Sequence, residues 1–134
     1  MIIEGSEQGL SNNMLRLVTF ANELLGAHCK LREIHWNTYN QSAHDLSDNL
    51  MYRIMNTVDS IFEGMMGIEE RPGYGIIYPK IPNSTNIAEI LKALIAKTES
   101  LEQALSSPVY SGVRQTLKEF KESLNKSIYL STLS

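Results

Sequence analysis

Residues 67–84, "GIEERPGYGIIYPKIPNS", carry three prolines and three glycines and end any helix that reaches them. On each side of this break lies a pair of helical patterns joined by a short polar link. A chain built this way has few routes to a buried core. Two helical hairpins must pack on each other, and the broken segment must carry the chain from one to the other.

The apolar spacing defines the four helices. In the first, expected over about 11–38, Leu17, Phe20, Leu24, Ala27, Leu31 and Ile34 recur at three- and four-residue steps. Ser11, Asn12 and Asn13 supply capping side chains at its start. The second, over about 43–66, carries Leu46, Leu50, Ile54, Val58, Ile61 and Met65 as one stripe. The third, over about 86–106, opens on a capping box of Asn86 and Glu89 and buries Ile87, Ile90, Leu91, Leu94, Ile95, Leu101 and Leu105. The fourth, over about 108–130, starts at Ser107 and Pro108 and runs through Val109, Val113, Leu117, Phe120, Leu124 and Ile128. The one strand-like run, "YGIIY", is too short to build a sheet. The fold class is therefore all-α: a single four-helix domain spanning 1–134, with a long crossover between the second and third helices, which is the ferritin-like topology.

Composition narrows the function. The formal net charge is −3, from 15 acidic and 12 basic residues, so the body has no strong pull on nucleic acid or anionic membrane. No apolar run reaches the length of a bilayer span, and the start, "MIIEGSEQG", lacks the basic and apolar regions of a secretory signal. The lone Cys29 forms no disulfide within the chain and fits a reducing compartment, so a cytoplasmic location is expected; in the bundle it reads as a small core residue.

The informative stretch lies on the second helix. His44 and Asp48 are four residues apart, as are Asp59 and Glu63. At about 100° per residue these four fall within one arc, to one side of the apolar stripe. Met51, Tyr52, Met55, Phe62 and Met66 sit among them, a mixture that reads as a second buried surface, most simply a subunit interface. Asp48 and Asp59 stand about 16 Å apart along a straight helix, too far to share one ion. The two pairs are, however, symmetric about Arg53 and Ile54. An antiparallel copy of the helix crossed there brings His44 and Asp48 of one chain to Asp59 and Glu63 of the other, twice per dimer. His35, at the end of the first helix, joins the same cluster. Two imidazoles and three carboxylates suit iron, with zinc or manganese also able to occupy such a set.

At this point the residues resemble a known family. "HWN" at 35–37, followed by H-x3-D-x10-D-x3-E, is similar to the pattern of Dps, the miniferritins. The resemblance implies an intersubunit ferroxidase centre in which His35, His44 and Asp48 of one subunit act with Asp59 and Glu63 of its twofold mate. It implies iron(II) oxidation by hydrogen peroxide or dioxygen, protection from peroxide, and storage of iron in a twelve-subunit shell. Trp36 matches the family's site-lining tryptophan, and Arg32 stands where lysine is common. The interval from His35 to His44 is three residues shorter than usual in that family. Family members that bind DNA often do so through a lysine-rich tail. The start of this chain has two glutamates and no lysine, so DNA binding is expected to be weak or absent, with Lys118, Lys121 and Lys126 the residues that argue otherwise.

The ordinary readings stand beside these. His35 alone is a hydrogen-bonded helix-end histidine, His44 a helix-start residue, Asp59 and Glu63 a solvated face, and His28 a residue packed inside the bundle. No Glu-x-x-His occurs, which counts against the internal di-iron pattern of larger ferritins. Besides the ferroxidase, two functions fit: a catalytically silent helical assembly protein whose polar cluster fixes dimer register, and a DNA-binding nucleoid protein.

Overall fold

A computed structural model describes residues 9–133; the acidic start that bears on DNA binding lies mostly outside them. Four helices are described: α1 (Asn12–Asn37), α2 (Gln41–Met66), α3 (Ile87–Ala104) and α4 (Ser111–Leu130), with a 3-10 turn at Pro108–Tyr110. The described residues contain no strand.

Local chemistry sets the helix ends. Ser11 Oγ accepts from Met14 N–H at 3.0 Å and caps α1. Asn40 Oδ1 accepts from Ala43 N–H at 2.8 Å, which starts α2 at Gln41, two residues before the apolar period suggests. Asn86 Oδ1 accepts from Glu89 N–H at 3.0 Å, the forward half of the expected capping box. The return half runs through a third residue. Glu89 accepts from Ser84 Oγ at 2.8 Å, and Ser84 Oγ accepts from Asn86 N–H at 3.0 Å.

The four apolar stripes meet in one core. α1 packs on α2 and α3, and α4 packs on the same two. Leu17, Leu24 and Leu31 of α1 meet Ile54, Ile61 and Met65 of α2, Leu91 of α3, and Leu117 and Leu124 of α4, all fully or nearly fully buried. Each such side chain contributes about 1.5–3 kcal/mol relative to exposure. Four expected core positions differ. Val109 is 55% exposed, because the 3-10 turn that holds it does not share the α4 register. Ile95 and Ile128 are only partly buried at the margin of the core. Cys29 is half-buried on the outer side of α1 rather than in the core.

Specific bonds fix which helix ends come together. Asn13 Nδ2 donates to the Tyr110 hydroxyl at 3.0 Å, and Ser11 N–H donates to Glu70 Oε1 at 2.7 Å. The starts of α1 and α4 and the end of α2 thus share one end of the bundle. At the other end Ile34, Asn40, Leu46, Ile87 and Leu130 line a common depression. Residues 67–86 pass between these ends along α1, and Asn22 holds them there. Its Nδ2 donates to the Ile76 carbonyl at 2.9 Å. Its Oδ1 accepts from Tyr78 N–H at 2.7 Å, and its own carbonyl accepts from Lys80 N–H at 3.0 Å.

Candidate metal centre

The α1–α2 hairpin places His35 in the last turn of one helix against His44 in the first turn of the next. Only Thr38, Tyr39 and Asn40 separate the two helices, so the residues are close in space as well as in sequence. The rings stack with centroids 3.8 Å apart and planes 21° from parallel. His35 Nδ1 lies 3.0 Å from the His44 carbonyl, and His44 Nδ1 lies 3.2 Å from the His35 carbonyl. A carbonyl can only accept, so each ring carries its proton on Nδ1. The His35 carbonyl is among the last four of α1, which have no partner within a helix; the His44 ring supplies one.

This arrangement decides what the other nitrogen can do. With Nδ1–H committed to the main chain, Nε2 keeps its lone pair in the neutral ring. A backbone-oriented imidazole of this kind is the usual form of a metal-ligating histidine. Ser47 completes the support. Fully buried, it donates from Oγ to the His44 carbonyl at 3.0 Å and lies 3.3 Å from His35 Nδ1, so it takes a share of that proton. Sequence reasoning passed over Ser47. Its signal was available: a hydroxyl standing on the buried stripe of α2, where a polar atom needs a partner.

The carboxylates are not gathered in the same way. Asp48, Asp59 and Glu63 are exposed along α2, and none forms an ion pair among the described residues. No three His, Cys, Asp or Glu side chains converge on one point among the described residues of a single chain. One chain therefore brings His35 and His44 together and leaves the three acids spread over the outer face of α2.

Several neighbours can now be placed. Trp36 is 69% exposed and Tyr52 is 74% exposed, so neither is a core aromatic. Met55 and Met66 are half-buried on the outer side of α2, whereas Phe62 is half-buried with its ring packed against the core. Met51 does not belong with them. It is 8% exposed, because it lies at the edge of the apolar stripe that α1 covers. His28 is half-buried, and burial followed by the nearby Arg32 guanidinium pushes its imidazole below the ordinary value. No described helix is long and apolar enough to cross a membrane. No protein-family model matches the chain, and no curated protein or solved structure matches it either.

Proposed function

We propose that this chain is a Dps-like ferroxidase, working as an antiparallel twofold dimer of ferritin-like bundles whose outer α2 faces meet. The observation that carries the reading is the reciprocal His35–His44 lock, which leaves both Nε2 atoms free of the main chain at one end of an exposed row of unpaired acids. A long connection lying along α1 between two helical hairpins supports the ferritin-like part of it.

Iron(II) is the substrate in this reading. Asp59 and Glu63 of one protomer, with His35 of the other, hold the first ion. His44 and Asp48 hold a second. Carboxylate ligation favours the ferric product. Each iron(II) gives up one electron, and two iron(II) with one hydrogen peroxide and two protons yield two iron(III) and two waters; dioxygen is the other candidate oxidant. Zinc or manganese would bind as surrogates. Trp36 lines the site. Assembly of dimers into a twelve-subunit shell belongs to the same reading.

Anaerobic titration with iron(II), followed by peroxide, tests it. Stoichiometric binding and a ferric absorbance rise, both lost in Asp59→Ala, are expected. Absence of binding, or binding that Asp59→Ala leaves unchanged, refutes it. One observation favours a second reading: the stacked pair already satisfies its Nδ1–H groups without an ion, as a silent hairpin lock in an assembly protein would. That reading expects no iron binding and an unchanged oligomer. A DNA mobility shift at low salt tests the nucleoid alternative, for which no shift is expected.

A further inference from the structure

A cleft of about 240 Å³ opens between α2 and α4. From α2 it takes Asn49, Arg53, Asn56 and Ser60, which recur at three- and four-residue steps and so share a face. That face lies about 100° around the helix from the row of acids. From α4 come Thr116, Glu119 and the buried Phe120. Thr57 also lines the cleft, and it is the anomaly. Of the other threonines within helices, Thr19, Thr98 and Thr116 each donate the hydroxyl to the carbonyl four residues earlier, an ordinary outlet for a helical threonine. Thr57 is only 8% exposed, yet its hydroxyl makes no hydrogen bond among the described residues. A hydroxyl at this depth needs a partner, and the cleft is where one can stand. The charges beside it are also unmatched. Arg53 forms no ion pair among the described residues. Glu119 accepts only from Gln115 Nε2, at 3.4 Å. The two line one cleft without pairing with each other.

We propose that this cleft binds a free α-amino acid with a small, uncharged side chain. The ligand's carboxylate bonds to the Arg53 guanidinium, its ammonium to Glu119, and one of its polar atoms to the Thr57 hydroxyl. A guanidinium offers a carboxylate two parallel N–H donors, and charge-assisted bonds of this kind are the strong ones. A ligand with a single charge leaves one of the two protein charges unmatched, and a neutral polyol leaves both. Asn49, Asn56 and Ser60 add donors and acceptors but no further charge, which favours an uncharged side chain. The size agrees. The cleft is smaller than the roughly 300–1,000 Å³ of sites for drug-sized ligands. At roughly 30 Å³ per water it has the space of about eight waters, which suits a small amino acid and excludes a nucleotide. Arg53, Thr57 and Glu119 belong to one chain, so the site needs neither the dimer nor the iron invoked above.

Calorimetric titration of the full chain with L-alanine, L-serine and L-threonine tests the site. Propionate, propylammonium and glucose serve as probes that carry only part of the chemistry. Saturable binding of at least one amino acid, millimolar or tighter, is expected, with each partial probe about tenfold weaker or silent. Arg53→Met and Glu119→Gln should each weaken binding about tenfold or more, with helical circular dichroism unchanged. Thr57→Val keeps the side-chain shape and should weaken binding about fivefold. Its melting temperature without ligand should be unchanged or higher, because the hydroxyl lost has no partner within the chain. A hydroxyl that served only the fold would lower the melting temperature and leave the affinity alone, which overturns the proposal. So does absence of saturation by all three amino acids, or equal binding of propionate, propylammonium or glucose. An affinity indifferent to both Arg53→Met and Glu119→Gln overturns it as well.

Discussion

Gly26 of α1 and Lys80 of the long connection approach so closely that a β-carbon on Gly26 would overlap the Lys80 carbonyl. The contact is backbone against helix, with no flexible side chain to give way. It explains why a glycine sits in the middle of α1 despite costing about 1 kcal/mol in helix propensity relative to alanine.

Gly26→Ala should therefore destabilise the protein, by about 1–3 kcal/mol from the forced shift, although alanine is the better helix former. Urea unfolding measures the loss. Amide exchange at Tyr78 and Lys80 should accelerate, because the segment must lift away from Asn22.

Ser47→Ala should separate support of the imidazoles from the fold itself. The substitution removes the hydroxyl that shares the His35 proton and bonds the His44 carbonyl. A stability loss of about 0.5–1.5 kcal/mol is expected, together with about a tenfold loss of iron(II) affinity. Anaerobic titration of the folded variant reads the second effect.

Tyr110→Phe should loosen the end of the bundle where α1, α2 and α4 meet. The buried Tyr110 hydroxyl donates to Glu69 Oε2 and accepts from Asn13 Nδ2. The hydrogen bond to the Glu69 carboxylate holds the phenol above its ordinary value of 10.0. A group whose proton is held more tightly in the folded state stabilises fully below its unfolded value and loses that contribution as pH rises through the folded one. The wild type should exceed the variant by about 1–2 kcal/mol at neutral pH, and the difference should shrink above pH 10. Melting temperatures of both proteins from pH 7 to 11 provide the check.

Lys121→Met should cost about 1–2 kcal/mol. Lys121 Nζ lies 2.8 Å from Glu102 Oε1 and 3.6 Å from Glu99 Oε2. The Glu102 side chain is only 12% exposed, so removing the ammonium leaves a largely buried carboxylate without its cation. The loss stays below that of a fully buried pair because a quarter of Lys121 meets water. Glu102 chiefly raises the Lys121 amine above its ordinary 10.5. The pair's contribution is thus present below that value and lost above it. Denaturant unfolding at pH 7 measures the cost.

The bundle was legible in the sequence because burial repeats every three to four residues, and the stripes of α1 and α2 went to the core as their spacing implies. What spacing cannot carry is contact between distant segments. Asn22 and Gly26 look like ordinary helix residues until Ile76, Tyr78 and Lys80 arrive beside them. Met51 was misplaced for a related reason: at the edge of a stripe, the neighbouring helix decides whether a side chain is inside, and α1 covers it. Val109 failed because Pro108 favours a tighter turn before α4 begins. At the candidate site, proximity of His35 and His44 followed from the short hairpin. Their mutual use of main-chain oxygens, and the part played by Ser47, depend on ring orientations that no linear pattern encodes.

The crossed imidazoles have a consequence for how the hairpin opens. Each ring's proton is tied to the other strand of the turn, so the tip cannot fray one side at a time; releasing one helix end frees both rings. Any ion that captures the two free nitrogens must then draw its affinity from the same equilibrium that keeps the tip wound. Fraying and ligand loss become a single event, observed from two directions.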